Sequence, residues 1–328
     1  MPELTPLAKK IADLNELRSG PDIASKVKYL REGLADRSSH VVRKSAELSA
    51  ELGKVELRPE LLTAYARMFV NPLKKDPGCL AKTAIAEALV KLDCQDIDSC
   101  RQGIRYQQYE PVWGGQQDTA AQLRAVCAVG MLGCATCMEA INAFADLLAD
   151  PCKPARIGAA RAISGLGSWE GVPLLRLKLQ LGDEDAEVVG ECCSALLAIA
   201  PDDGVDLVTR LLSSKQSDLR IQAALALGES RSQPAFEPLC ACWQAEREPS
   251  LRGMLLTCIG LLRSTESREF LVSLIRGPDA TEAADAIQAL APYSMIDEVC
   301  QQVADAVKES AHRQLRATFE KEFKPRQA

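Results

Sequence analysis

The chain has 328 residues, of which 47% are hydrophobic, 26% charged and only 4% aromatic. This composition excludes a disordered chain, because it supplies enough apolar side chains for a sizeable core, and the scarcity of aromatic residues argues against a β-sandwich or barrel. The net charge of −6 argues against a nucleic-acid-binding surface, which is usually basic.

The sequence also predicts the surroundings of the protein. It contains no run of about 20 apolar residues, so we expect no contact with a membrane. The first residues carry charges throughout and lack the apolar core of a signal peptide, which favours a cytoplasmic protein. The chain has 13 cysteines. In a long chain without an export signal, we expect most of them to be reduced thiols that pack as small apolar residues.

The predicted elements follow a regular order along the chain. Residues 1–23 form an N-terminal cap with a helix over 4–18, and residues 293–328 form a C-terminal capping helix and a charged tail. Between them, over 24–292, two kinds of apolar-periodic stretch alternate and are joined by short links such as "DPCKP" and "KQSD". Such links end one helix and cap the next. The pattern therefore predicts a series of helical hairpins, each made of a helix A and a helix B.

Each helix B has a recurring residue near its start, which we call the marker. The residues three and seven positions after the marker are apolar and share one helix face with it. One hairpin has more apolar faces than it can bury alone, so the pairs are predicted to stack. The marker falls 30 to 42 residues apart, at Arg43, Lys82, Arg124, Arg156, Gly190, Arg220, Arg252 and Ala283.

A marker arginine at the start of helix B can serve packing rather than chemistry. We expect it to donate hydrogen bonds to carbonyl groups of the preceding turn or to an aspartate of an adjacent unit. The acidic residues placed just upstream of markers are Asp36, Asp150, Asp183 and Asp218.

The repeated stretches resemble a known family. "VVRKSAELSAELG", "ARIGAARAISGLG" and "LRIQAALALGE" are similar to the VR-x-x-A-A-x-x-L-G pattern of HEAT repeats, in particular the HEAT-like repeats of the phycobilisome lyase type. The resemblance covers about eight units over 24–292. It implies an all-α fold of the armadillo type, a right-handed α-solenoid of about eight helical hairpins.

The resemblance leaves two classes of function open. The first is a non-enzymatic scaffold, expected to be a monomer without a cofactor, that binds a protein or peptide on its concave face. The second is a subunit of a bilin lyase or isomerase that acts on a phycobiliprotein-type chromophore. Such an enzyme needs a nucleophile or an acid, and none of the cysteines has a clear activating partner in the sequence.

Metal and redox chemistry have few candidate residues. Deoxyhypusine hydroxylases share the repeat and bind two irons through His-Glu pairs, but His40 and His312 here are not followed by Glu, so we expect no metal site. Cys134 and Cys137 form a C-x-x-C directly before a predicted helix. A helix N-terminus lowers the pKa of a thiol, so these are candidate redox thiols, whereas a zinc site commonly needs a second pair.

One insertion departs from the repeat. The 42-residue gap before Arg124 contains "RYQQYEPVWGGQQDTAAQ", in which Tyr106, Tyr109 and Trp113 lie close together. We expect an extended loop between helix A and helix B. Insertions in solenoids often touch partners, and exposed aromatic residues are good contact residues. The alternative is that these rings cover an edge of the core.

The B helices supply the other candidate contacts, because in HEAT-like arrays they line the concave side. An apolar surface that carries few charges suits an amphipathic helix or an extended peptide, although the same apolar positions are also expected in an ordinary inter-helix core. The charged candidates on this surface are Glu87, Lys91, Arg161, Glu191 and Glu229.

Overall fold

The computed structural model describes residues 5–18 and 23–323, and nearly all of its regular structure is helical. The chain divides after Ser168 into two compact units. In both units the helices pair as antiparallel neighbours along the chain, which is the all-α solenoid arrangement that the sequence predicts. None of the helices in the described ranges is long and apolar enough to cross a membrane.

The first unit begins with the helix α1 and continues with four helical hairpins, α2–α3, α4–α6, α7–α8 and α9–α10, with the single turn α5 inside the second. Its helices are α1 (Pro6–Glu16), α2 (Ile23–Leu34), α3 (Ser39–Glu51), α4 (Arg58–Met68), α5 (Pro72–Lys75), α6 (Leu80–Lys91), α7 (Ile97–Ile104), α8 (Ala121–Gly130), α9 (Cys137–Leu148) and α10 (Lys153–Leu166).

The second unit contains four further hairpins, α11–α12, α13–α14, α15–α16 and α17–α18, followed by two helices that cover the last of them. Its helices are α11 (Val172–Leu181), α12 (Ala186–Ile199), α13 (Pro201–Leu211), α14 (Ser217–Ser230), α15 (Phe236–Ala245), α16 (Pro249–Leu261), α17 (Thr265–Ile275), α18 (Ala280–Leu290), α19 (Asp297–Glu309) and α20 (Leu315–Phe323).

The predicted repeat register is confirmed. All eight markers lie in the second helix of a hairpin, and all eight residues three positions later are buried. Small residues let these helices approach closely. A side chain added at Gly228 of α14, for example, would overlap the carbonyl oxygen of Cys258 in α16. The helix B layer of each unit is therefore packed nearly backbone to backbone.

Two marker arginines of the second unit, Arg220 and Arg252, connect consecutive repeats. Arg220 donates to the carbonyl oxygen of Ser214 in its own turn (3.0 Å) and to Glu246 of the next repeat (2.8 Å). Arg252 repeats this pattern with the carbonyl oxygen of Glu246 (3.0 Å) and with the carboxylate of Glu282. Turn carbonyls are thus confirmed as acceptors, and the carboxylate comes from the following repeat.

The predicted upstream aspartates supply one of these carboxylates. Asp150 accepts from Arg124 of the preceding repeat at 3.0 Å, as expected of an aspartate in an adjacent unit. Asp183 pairs with Lys178 and takes part in further interactions. Asp36 pairs with Lys10, and Arg220 uses Glu246 rather than Asp218. The reason is geometric: the guanidinium group extends along the stack, so it reaches an acid placed near the start of the next helix B.

The insertion is a β-hairpin instead of the predicted extended loop. Strand β1 (Tyr109–Val112) pairs antiparallel with β2 (Gly115–Asp118), and Val112 lies opposite Gly115. Trp113 and Gly114 form the two-residue turn, in which Gly114 has a φ of 91°, a conformation that glycine adopts without strain. The pairing was missed because this turn lacks the Asn-Gly or Asp-Gly signal of common hairpins.

Candidate functional site

The tip of the hairpin presents apolar side chains to solvent. The side chain of Trp113 is fully exposed at 103% of its reference area, and those of Tyr109 and Val112 are about half exposed at 48% and 44%. A large aromatic ring without any cover is unusual on a folded protein, and exposed apolar patches commonly mark interaction sites. The hairpin tip is therefore the first candidate for a contact surface.

The base of the hairpin is fixed to the helical body by hydrogen bonds to Glu110. Its carboxylate accepts from the backbone N–H of Gly78 (2.6 Å), from the Gln108 amide (2.7 Å) and from the Thr119 hydroxyl (2.9 Å). Burial would raise the pKa of Glu110, but the bonds from Gln108, Gly78 and Thr119 outweigh it and hold the pKa below its ordinary value. Glu110 is thus an ionised anchor.

Arg124, the marker of this repeat, holds the end of the second strand. Its guanidinium group is 2% exposed and donates to Asp118 (2.7 Å), to the carbonyl oxygen of Tyr106 (2.9 Å) and to Asp150 (3.0 Å). Burial would raise the pKa of Asp118, but backbone N–H donors and the Arg124 guanidinium group lower it overall. The arginine that stacks repeats elsewhere also positions the hairpin here.

A second buried ion pair lies below the hairpin. Lys82 and Asp76 are both fully buried and 2.9 Å apart, and the ammonium group lies over the rings of Phe69 and Tyr106 at 5.6 and 5.4 Å. The Tyr106 ring also packs edge-on against Phe69, and burial raises the pKa of its hydroxyl to about 12. Tyr106 therefore belongs to the base, whereas Tyr109 and Trp113 face solvent.

The charged candidates on the B helices are divided between the two units. Glu87 is half-buried on α6, and Lys91 is exposed at the end of the same helix; Arg161 is exposed on α10. In the second unit, Glu191 is half-buried on α12 and Glu229 is exposed on α14. Arg161 and Glu191 already take part in interactions. The structure does not gather these five residues into a single cluster within either unit.

The two thiols of the C-x-x-C have different surroundings. Cys137 is the first residue of α9 and is exposed, with its sulfur 3.6 Å from the Ser168 hydroxyl oxygen. Cys134 is partly buried and donates to the carbonyl oxygen of Gly130 (3.3 Å), and burial raises its pKa. A redox role of this pair stays a prediction.

The two histidines lie in different repeats, far apart along the chain. His40 lies in the first turn of α3, and His312 lies between α19 and α20, where a ring nitrogen is 3.0 Å from the carbonyl oxygen of Pro278. Over residues 5–18 and 23–323, no three His, Cys, Asp or Glu side chains are arranged to hold a metal ion.

Several exposed residues near the hairpin escaped the sequence analysis. Val70, Leu73 and Leu80 are exposed, and Lys74 and Lys75 are exposed between them. Their segment joins α4 to α6, so it carries no repeat pattern. A signal was present in the gap of 39 residues between the markers at Arg43 and Lys82, which is longer than the typical gap and indicates an added segment.

The sequence matches one family model. Residues 174–252 match the model of HEAT repeats, and this part of the chain comprises α11 to α15 with the start of α16. The HEAT-like repeats that the sequence predicts are therefore confirmed. No curated protein matches the chain in a sequence search.

Several solved structures are similar to this chain at low sequence identity. The complex of CpcE and CpcF of phycocyanin lyase from Nostoc sp. has 17% identity and a TM-score of 0.41, covering 74% of this chain and 93% of that one. Human deoxyhypusine hydroxylase has 16% identity and a TM-score of 0.31, covering 79% and 91%. Kap121p bound to Nup53p has 11% identity and a TM-score of 0.46, covering 98% and 45%.

Proposed function

We propose that this chain is a non-enzymatic adaptor that binds a protein or peptide partner, and that the hairpin insertion makes the main contact. The observation that carries this proposal is the complete exposure of Trp113 at the tip of a hairpin whose base is fixed by buried polar groups. Tryptophan and tyrosine are enriched among the residues that dominate binding energy at protein interfaces.

The rigidity of the hairpin base supports a binding role. An isolated two-stranded hairpin is marginally stable in water, yet this one is tied to the body through Glu110, Gln108 and Arg124. A contact residue that is already held in place loses less conformational entropy when a partner binds. The proposal includes a second, weaker contact surface on the B helices of each unit. Glu87, Lys91 and Arg161 would flank a segment bound to the first unit, and Glu191 and Glu229 a segment bound to the second.

We also propose that the protein is a monomer and that it works in the cytoplasm. Many cysteines occupy small apolar positions in buried helices, such as Cys192, Cys193 and Cys258, and reducing compartments keep such thiols free. The alternative function as a subunit of a bilin lyase stays a prediction from the sequence resemblance.

Affinity capture from the source organism tests the proposal. The wild-type chain, Trp113→Ala and Trp169→Ala are used as baits, and captured proteins are quantified by mass spectrometry. Trp169 is a matched control because it is also an exposed tryptophan, at 62%. We expect at least one protein to be enriched on the wild type and on Trp169→Ala and depleted on Trp113→Ala. Identical captures by all three baits would contradict the hairpin as the main contact.

A further inference from the structure

We infer that the hairpin and the segment beside it form one surface for an acidic peptide that carries apolar residues. This inference rests on the proposed function and adds the chemistry of the partner. The surface, here called the hairpin patch, consists of two sets of exposed apolar residues that flank an exposed lysine pair, Lys74 and Lys75. The apolar residues are Val70, Leu73 and Leu80 before and at the start of α6, and Val112 and Trp113 on the hairpin.

Direct hydrogen bonds hold the two sides of the hairpin patch together. The Glu110 carboxylate accepts from the Gly78 N–H at 2.6 Å, and the Gln108 amide donates to the carbonyl oxygen of Asp76 at 2.9 Å. Side chains alternate along a strand, so Val112 lies on the same face of β1 as Glu110, whose carboxylate binds Gly78. The base of the hairpin and the segment around Asp76 and Gly78 are therefore held side by side.

The charge of the hairpin patch is positive. Three carboxylates of the hairpin and its neighbouring segment are used inside the protein: Asp76 binds Lys82, Glu110 binds Gly78, and Asp118 binds Arg124. Lys74 and Lys75, by contrast, are exposed, and within the described ranges neither has an ion-pair partner. The internal bonds thus remove the negative charges from this surface and leave the two ammonium groups for a ligand.

This combination selects an acidic peptide over other ligands. Complementary charges on a partner favour encounter and fix its register, while the apolar residues supply most of the binding energy. A membrane surface with anionic lipids is a weaker match, because such surfaces are typically recognised by clusters of four to eight basic residues. A basic peptide would be repelled by the lysine pair.

Selection from random peptides identifies the chemistry without knowledge of the partner. Two display libraries are sorted against the full chain, and both randomise the same positions among Leu, Phe, Trp and Met. The remaining positions are Asp, Glu or Ser in the first library and Lys, Arg or Ser in the second. We expect enrichment in the acidic library alone, with apolar residues retained. Enrichment in the basic library, equal enrichment in both, or none in either would overturn the inference.

Fluorescence anisotropy of the most enriched peptide then locates the site. We expect Trp113→Ala to abolish binding and Lys74→Glu/Lys75→Glu to raise the Kd at least about tenfold, because two attractive contacts become repulsive. The double charge reversal should also allow a Lys-substituted version of the peptide to bind, an effect that mere destabilisation would not produce. The matched control is Lys9→Glu/Lys28→Glu, which reverses two exposed lysines of the same unit, and its Kd should be unchanged.

The remaining outcomes separate the inference from the proposed function. If the double reversal leaves the Kd unchanged, or if vesicles containing phosphatidylserine bind through Lys74 and Lys75 and no peptide does, the acidic-peptide inference is wrong. The proposed function can still hold if the partner is not an acidic peptide. It requires only that Trp113→Ala captures less of at least one protein than the wild type does in the affinity capture. It fails when that capture is unaffected, whatever the peptide libraries enrich.

Discussion

At the scale of single residues, the marker arginines explain how one repeat is joined to the next. Arg220 binds both a carbonyl group of its own turn and Glu246 of the following repeat, so its loss leaves acceptors unpaired on both sides. Its partners are structural groups of the stack, and the arginine is therefore a packing residue.

Replacement of Arg220 should reduce stability. We expect Arg220→Ala to lower the free energy of unfolding by about 2 kcal/mol, the usual size for hydrogen bonds to charged groups. Urea unfolding followed by circular dichroism measures this change. Arg210→Ala, at an exposed position of α13, is the control and should change it by less than about 0.5 kcal/mol. Equal stability of wild type and Arg220→Ala would contradict the packing role.

The Asp118 carboxylate should make stability depend on pH. Its pKa lies below the ordinary value in the folded chain and near 3.9 in the unfolded chain, so its ionised form stabilises the fold above about pH 4, and this contribution is lost as the pH falls further. Asp118→Asn should be less stable than wild type at pH 7 by about 1–3 kcal/mol, with a difference that narrows at pH 3. The control is Asp206→Asn, at an exposed position, which should be as stable as wild type at both pH 7 and pH 3. If the difference in free energy of unfolding between Asp118→Asn and wild type is the same at pH 7 and pH 3, Asp118 does not stabilise the fold through its ionised form.

The thiols should differ in reactivity in the order of their exposure. Burial raises the pKa of Cys79, Cys127 and Cys258 to about 12 in each case, so these thiols are protonated at neutral pH. Cys137 is exposed. Titration of the native chain with an aromatic disulfide reagent should therefore show a fast phase that Cys137→Ser removes and Cys134→Ser keeps. A fast phase that survives in Cys137→Ser would contradict this order.

At the scale of elements, the β-hairpin is an insertion that the helical repeat does not explain. Its two strands are short, and its order depends on contacts with the helical body rather than on its own pairing. The turn at Trp113 and Gly114 fixes the direction in which the tryptophan points, because Gly114 has a positive φ.

Substitution of the two adjacent glycines tests this element. Gly114→Ala places a side chain in the left-handed region, at a cost of about 1–2 kcal/mol, so amide hydrogen exchange in the two strands should accelerate about five- to thirtyfold. Gly115 lacks a positive φ and has open space around its Cβ position, so Gly115→Ala should leave exchange nearly unchanged. If both variants exchange like wild type, the turn does not control the hairpin.

At the scale of the whole molecule, the helical repeats were predictable because their determinants are local and recur. The marker residues and the small residues three positions later appear within one helix, and each copy repeats the same short-range pattern. The hairpin patch was not predictable in the same way. The Glu110–Gly78 and Gln108–Asp76 contacts each join residues 32 positions apart, and no periodicity in the sequence indicates such pairs.

The candidate site was partly predicted as a result. The aromatic content of the insertion marked Tyr109 and Trp113 for attention, and the structure leaves both exposed. The same reasoning grouped Tyr106 with them, although its ring packs on Phe69 below Lys82. The lysine pair was missed because two adjacent lysines are common in any sequence, and only the internal use of the nearby carboxylates makes them stand out.

The central claim is that the hairpin tip contacts a protein partner, and site-specific photo-crosslinking in living cells tests it most directly. A photoreactive phenylalanine derivative replaces Trp113 in one variant and Arg210, an exposed residue of α13, in a control. We predict that irradiation of the Trp113 variant yields a defined adduct with a protein of the cell and that the control does not. No adduct at position 113, or the same adducts at both positions, would contradict the claim.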